Sequence, residues 1–435
     1  WAKSDAAAGY AVDELTLMLS KLPAEGFVPA SLAPEAWKAV AGDPDARRAM
    51  KPKALAKAQQ KADAAAAGTW NAADGVLTGT TGAPTLGSAK EYENFSLIVE
   101  WKTDGEAGLG IRSIPQIALG GRNAGALTGN MLHENTAPAA ANRPGEWNTM
   151  EVRVVNDRVT VVLNGITTCN NVILENTCNR EIPAYTEGQI LLAGGTAPVS
   201  FREMYVRELP PTPRFELSPE EAAEGFEVLF DGTSMHKWTG NTTNYVPLDG
   251  TIYVTAQYGG SGNLYTKKEY ADFILRFEFQ FVQEGVNNGI GIRTPMGVDA
   301  AYHGMEIQIL DHDAPIYKNL REYQQHGSVY GIIPAKRVKF PSLGTWNVEE
   351  IRAVGDRITV TVNGEVILDG DIREACQGHN VSEDGSKKNP YTVDHRNHPG
   401  LFNKKGHIGL LGHGAGIQFR NIRIKSLDAK TQNGK

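Results

Sequence analysis

From Trp70 onward the hydrophobic positions recur with period two. In Phe273–Phe281, Phe273, Leu275, Phe277, Phe279 and Phe281 share one face, and Arg276, Glu278 and Gln280 share the other with Ile274. That spacing predicts a strand with one buried side. Residues 357–368 read as a hairpin whose turn is Asn363-Gly364, and Asn164-Gly165 marks an equivalent one earlier in the chain. Many short strands, Gly-rich turns and no helical run between them predict an all-β antiparallel sandwich rather than βαβ units. Residues 1–69 differ. The Ala-rich run at 53–67 combines strong helix formers and ends at Gly68, and residues 13–22 form a second helix candidate stopped by Pro23.

The strand pattern is written twice. Residues 146–166 (EWNTMEVRVVNDRVTVVLNGI) and 345–365 (TWNVEEIRAVGDRITVTVNGE) are identical at 11 of 21 positions. Gly110-Ile111-Arg112 upstream answers Gly291-Ile292-Arg293, and Phe201-Arg202 downstream answers Phe419-Arg420. Three landmarks in one order indicate an internal duplication. From Arg to Trp the spacing is 35 residues in the first copy and 53 in the second; from Trp to Phe it is 54 and then 73. The second copy has therefore gained chain in both intervals, and those intervals hold most of its His, Asp and Glu. The expected organisation is a helical segment at 1–69, a degenerate copy at 70–209, a Pro-rich linker at 210–223, an elaborated copy at 224–428 and a polar tail at 429–435.

Composition narrows the function classes. The chain has 435 residues and a net charge of −7, and its Lys387-Lys388 and Lys404-Lys405 pairs are too short to mark a nucleic-acid partner. No apolar stretch approaches the ~18 residues of a membrane span. A chain opening at Trp1 reads as trimmed, and the expected compartment is the periplasm or the exterior. The three cysteines fit no zinc spacing; Cys169 and Cys178 can close a small clip under oxidising conditions, and Cys376 reads as a buried thiol.

Candidate chemistry centres on YHGMEIQILDHD, residues 302–313. In a strand, Met305, Ile307 and Ile309 point to the core while Glu306 and Gln308 point out, into a groove on the concave sheet. Asn288 and Arg293 in NNGIGIRT can share the Glu306 face, and an Arg opposite a carboxylate holds it ionised. His326 and Tyr330 in HGSVYG add an imidazole and a phenol. Trp346, kept in the first copy as Trp147, suits the core better than a sugar platform. A retaining glycosidase needs two carboxylates roughly 5–5.5 Å apart, but two residues beyond Glu306 stands Gln308, and Asp311 has the wrong parity. Exposed Glu, Gln and Arg can also be plain cross-strand pairs.

The motifs DGTSMHKW, SGNLYTKKEYADFILRFEF, NNGIGIRT, YHGMEIQILD, HGSVYG, TWN, HPGLFNKKGHIGLLGHG and FRNIRIKSL occur in order over nearly all of residues 224–428. Together they resemble the 3-keto-disaccharide hydrolase family, whose fold is similar to the concanavalin A-like jelly roll. The first copy resembles it weakly: IPQIALGG stands in place of GMEIQILD, the HPGL loop is missing, and Arg112 and Gln116 are what remains of a site. The resemblance implies tandem jelly-roll sandwiches and a sugar substrate already oxidised at C3 by a partner sugar 3-oxidoreductase.

A 3-keto group acidifies the C2 proton. A base can then form the enolate, which expels the C1 oxygen, and water adds afterwards. On that reading Glu306 is the base or a metal ligand, Arg293 or a divalent cation stabilises the enolate, and His326 protonates the leaving oxygen. Asn288, Gln308 and Tyr330 orient hydroxyls, with Asp311, His303 and His413 also against the substrate and His398 on the rim. The His/carboxylate mixture suits Ca²⁺ or a divalent transition metal, and the spacing does not decide between them. A lectin-like binding module and an ordinary glycoside hydrolase are the alternatives.

Overall fold

The computed structural model describes residues 68–130, 141–177, 184–233, 235–242, 244–254 and 262–427, with the backbone of 16–17 and 27–29. Two compact units divide the chain, Trp1–Thr212 and Pro213–Lys435.

In the second unit, alternation builds two antiparallel sheets. The eight-stranded sheet runs in the order Tyr245–Leu248, Thr251–Val254, Ile417–Ser426, Phe273–Phe281, Asn347–Val354, Arg357–Val362, Glu365–Asp371, with Glu227–Phe230 also paired to Ile417–Ser426. The five-stranded sheet runs Trp238–Gly240, Leu264–Tyr270, Gly406–Leu410, Asn287–Thr294, Met305–Leu310. The expected apolar face of Phe273–Phe281 is buried and packs in one core with Ile290, Ile292, Met305, Ile307 and Ile309 of the other sheet. Each such side chain contributes about 1.5–3 kcal/mol by leaving water.

The first unit has the same strand order in both of its sheets. Its wide sheet centres on Asn148–Val155, Phe95–Thr103 and Val199–Glu208; its narrow sheet runs Phe27–Pro29, Leu86–Tyr92, Gly188–Ala193, Ala107–Gly110, Gln116–Leu119. The all-β, two-sandwich reading therefore holds.

The N-terminal expectation needs correction. Thr16–Leu17, inside the helix candidate at 13–22, is a strand paired with Tyr205 and Val206, and Phe27–Pro29 pairs with Leu86–Ser88. These pieces fill the positions that Glu227–Phe230 and Trp238–Gly240 fill in the second unit. Unsatisfied edge groups of an adjacent sheet outweigh local helix propensity there. The helix expected at 53–67, Cys178 and the tail from 428 onward lie outside the described residues; Cys169 is buried, with its Sγ 3.3 Å from the Gly125 carbonyl. The stretch at 210–223 is not all linker: Pro219–Glu224 is a short helix capped by Ser218, and Glu221 accepts from both Arg276 (3.1 Å) and Arg423 (2.9 Å) of the second unit.

The landmarks common to both units serve the scaffold. In the hairpins, Asn164 Nδ2 donates to Asn148 Oδ1 at 2.8 Å and Asn363 Nδ2 to Asn347 Oδ1 at 2.9 Å, locking turns whose Asn residues have positive φ. Arg202 pairs with Glu100 at 2.6 Å and Arg420 with Glu278 at 2.7 Å, and these guanidiniums lie over Trp147 and Trp346. Trp346 is thus neither core nor open platform but a half-buried ring under an arginine.

Candidate functional site

The narrow sheet of the second unit carries the polar face expected from the alternation. Directly paired residues on adjacent antiparallel strands share a face. Glu306 pairs with Gly291, Gly291 with Gly409, and Gly409 with Tyr265; Gln308 pairs with Gly289. Glu306, Gln308, Gly289, Gly291, Gly409 and Tyr265 therefore line one side. Three glycines run between Glu306 and Tyr265, and neighbouring side chains use the space a Cβ would take: Leu411 Cδ2 stands 3.0 Å from that position on Gly291, and the Tyr265 ring 3.1 Å from it on Gly409. A Cβ on Gly289 would stand 2.2 Å from Glu306 Oε1, so that carboxylate lies over the glycine.

Glu306 is 3% exposed, and its Oε1 sits 3.1 Å from Nε2 of His413, a residue 107 positions away. The hydrogen bond to Glu306 raises the His413 pKa above its ordinary value; burial opposes this, and the charges of Glu306 and Asp299 add to it. The contact favours the protonated form of the His413 imidazole. Gln308 donates from Nε2 to Asn287 Oδ1 at 2.9 Å. Tyr330 donates its backbone N–H to the Glu306 carbonyl at 2.9 Å. Burial raises the Tyr330 phenol pKa; a hydrogen bond with Gln324 opposes this, while Tyr323, Glu306 and Asp394 reinforce it. That phenol stays protonated at neutral pH.

The second inserted loop brings a group that the sequence reading did not assemble. Asp394 Oδ2 lies 3.1 Å from His398 Nε2, while His398 Nδ1 faces the Ala301 carbonyl at 3.2 Å. Although burial works against it, His398 holds the Asp394 carboxyl below its usual range. Arg396 donates to the Tyr302 hydroxyl at 2.8 Å. Tyr330 helps to raise the Tyr302 pKa, and Asp394 raises both phenols, so the loop carboxylate stands near the two hydroxyls. The signal in the sequence was the added chain length itself; loop residues have no periodicity from which to read a partner.

Several expected site residues are placed elsewhere. Arg293 is 1% exposed and donates to the Ala271 carbonyl (2.8 Å), the Gly355 carbonyl (2.7 Å) and Asp272 Oδ1 (2.9 Å). Pairing with Met305–Leu310 ends at Ile292, the register to Gly406–Leu410 shifts before Thr294, and Arg293 takes φ 50°. This break in the ladder aims the guanidinium at two hairpin turns rather than along the groove. Arg112 repeats the clamp on Glu93 and Asn94, which is why both copies keep it.

His326 is fully buried. Its Nδ1 accepts from the Leu310 N–H at 3.1 Å, so its Nε2 donates to Glu349 Oε2 at 3.0 Å, and its ring stacks on Phe279 and meets Phe340 edge-on. Burial pushes the Glu349 carboxyl up against the pull of His326. His326 anchors the first inserted loop in the core and has no path to a leaving group.

Asn288 pairs with Ile309 on the core face and donates to the Tyr245 hydroxyl at 3.3 Å. It is one residue out of phase with the groove. Asp311 accepts from the Gly285 N–H at 2.9 Å and closes a turn. His303 is exposed at the end of Ala300–His303, with Nδ1 3.3 Å from the Asp299 carbonyl. Glu306, Gln308, Tyr330 and His413 are thus the expected residues that the fold brings together.

No group of three or more His, Cys, Asp and Glu side chains converges as a metal site among the described residues. Glu306 and His413 offer two donors, in contact with one another. No helix among the described residues is long and apolar enough to cross a membrane.

Residues 37–207 and 225–425 each match the family described as 3-keto-alpha-glucoside-1,2-lyase-like domain, together more than half of the chain. A 3-keto-disaccharide hydrolase of Bacteroides thetaiotaomicron is 28% identical over 245 residues, covering 47% of this chain and 80% of that protein. A crystal structure from Parabacteroides distasonis ATCC 8503, provisionally named a glycosyl hydrolase, is 27% identical, covers 46% of this chain and 99% of its own, and superposes at a TM-score of 0.40. A second from the same organism is 22% identical, covers 49% and 100%, and superposes at 0.41. With its two matched segments falling on two sandwiches of one topology, the chain belongs to the 3-keto-alpha-glucoside-1,2-lyase-like family and carries that domain twice.

Proposed function

We propose that the second unit cleaves 3-keto-glycosides by elimination followed by hydration. The observation that carries this reading is a single buried carboxylate, Glu306, over a glycine strip, with no second carboxylate among Asn287, Gly289, Gly291, Gln308, Gly409 and Tyr265. Displacement at C1 by a carboxylate pair would need that second acid. Proton abstraction at C2 needs one base. The family match and the name of the Bacteroides relative support the substrate class.

In this mechanism Glu306 takes the C2 proton, and the C2–H electron pair becomes the enolate of the C3 ketone. Collapse of the enolate re-forms the C3 carbonyl, makes the C1–C2 double bond and breaks the C1–oxygen bond. The Tyr330 phenol, kept protonated by its surroundings, gives the departing oxygen its proton. His413 holds Glu306 in place, and Arg396 with the Tyr302 hydroxyl offers cationic and neutral donors to the enolate oxygen. Water then adds at C1 and a proton returns to C2, releasing the 3-keto sugar. The substrate requires a sugar 3-oxidoreductase upstream, and we place the reaction in the periplasm or outside the cell.

The test is incubation with a 3-keto-glucoside and with its unoxidised parent, each with and without chelator, for wild type and Glu306→Gln. Cleavage of the keto compound alone, abolished in Glu306→Gln and retained with chelator, is the expected result. Cleavage of the parent would overturn the elimination route. Loss on chelation, restored by a divalent ion, would move Glu306 from base to ligand.

A further inference from the structure

The first unit keeps the same groove with its charge removed. By ladder register Gln116 stands opposite Gly110 as Glu306 stands opposite Gly291, and Ala118 opposite Gly108 as Gln308 stands opposite Gly289. The posture is shared too: a Cβ on Gly108 would lie 2.8 Å from Gln116 Oε1, just as one on Gly289 would meet Glu306. Leu191 pairs with Gly110 where Gly409 pairs with Gly291. Counting on from those residues, Gly195 takes the place of His413. The imidazole–carboxylate couple has become an amide and a glycine.

Among the described residues the space left is not filled. A cavity of about 650 Å³ opens there, lined among others by Gln116, Ala118, Gly195, Glu106, Asn123 and Thr128. That volume lies within the ~300–1,000 Å³ usual for small-ligand sites. Gln116 and Asn123 are exposed, and their side chains make no hydrogen bond within the described residues. An amide both donates to and accepts from a hydroxyl but cannot take a proton from carbon. Glu106 adds an acceptor at the mouth. At the position of Glu306, the chemistry on offer is hydroxyl recognition without a base.

We infer that the first unit binds an uncleaved neutral sugar in this cavity, with Gln116 in the position of the base and hydrogen-bonding the ring hydroxyls. The ligand class rests on the reading of the second unit as acting on glycosides. The site would hold a disaccharide, keto or not, without turning it over.

The experiment is calorimetric titration of the full chain carrying Glu306→Gln, to silence turnover, with maltose, trehalose and a 3-keto-disaccharide. Adding Ala118→Trp, which fills the cavity from an outward-facing position, is expected to remove one equivalent of bound sugar. Adding Gln116→Ala instead should weaken that equivalent about five- to tenfold, the loss of one or two neutral hydrogen bonds. Ala118→Trp alone should leave kcat for a 3-keto-glucoside unchanged. Titrations unaltered by both variants, or no first-unit binding of any of these sugars, would overturn the inference. Should the 3-keto-glucoside go uncleaved while Ala118→Trp still removes an equivalent, the proposed reaction fails and this site stands.

Discussion

Gly289→Ala should separate catalysis from stability. The added Cβ would lie 2.2 Å from Glu306 Oε1, 2.8 Å from its Cγ and 2.9 Å from its Cδ, and those three Glu306 atoms are the nearest ones it meets. Bringing the first contact out to the 3.4 Å of ordinary approach requires the carboxylate to move by about 1 Å. Gly289 has no positive φ, so the backbone accepts alanine without strain, and the unfolded chain loses entropy worth roughly 0.4–1 kcal/mol in favour of folding. The flexible end of Glu306 can yield at little cost to the fold. A reacting group displaced by ~1 Å loses on the order of a hundredfold in rate, about 2.7 kcal/mol of barrier. The assay is kcat on a 3-keto-glucoside beside thermal melting of the same sample. A hundredfold fall with Tm unchanged or slightly raised is expected. Near wild-type kcat would refute the assignment of Glu306 as the base, because its position would not matter.

Arg293→Ala should behave in the opposite way: it removes a buried guanidinium and leaves two carbonyls without that donor, each costing on the order of 1–3 kcal/mol, while the part-exposed Asp272 can turn to water. The kcat of the folded fraction should be retained; denaturant unfolding read with active-site titration checks it. His413 has a raised pKa, so the couple with Glu306 is present at low pH and lost as pH rises through that value. The kcat/KM profile should therefore fall on an alkaline limb above the ordinary histidine value, and His413→Gln should lower kcat and abolish that limb. His312 accepts the His326 N–H on Nδ1 and donates from Nε2 to the Val338 carbonyl, and burial lowers its pKa. The unfolded chain then binds a proton that the folded chain excludes, so stability drops as pH falls below about 6.5; His312→Asn should flatten the acid side of a Tm-versus-pH curve.

Sequence alone determined the architecture and the outward phase of the proposed base. Alternation over Phe273–Phe281 and the Asn-Gly turns specify strands and hairpins because side-chain parity and turn conformation are local properties. The duplicated landmarks specify two copies, and parity puts Glu306 and Gln308 opposite Met305, Ile307 and Ile309. The same reading marked Arg112 and Gln116 as what remains of a site in the first copy; the ladder register puts Gln116 at the Glu306 position.

Tertiary structure decided the remainder. Arg293 leaves the groove because a positive-φ residue breaks the alternation that the argument assumed. Asn288 faces the core because its phase is set by its partner Ile309. His326 goes to an aromatic core, and His413 to Glu306, because their loops are fixed by contacts with distant strands rather than by a repeat. Thr16–Leu17 becomes a strand because an open sheet edge supplies partners that a helix candidate does not foresee. Parity says which way a residue points along a regular strand; only the folded chain says what stands opposite.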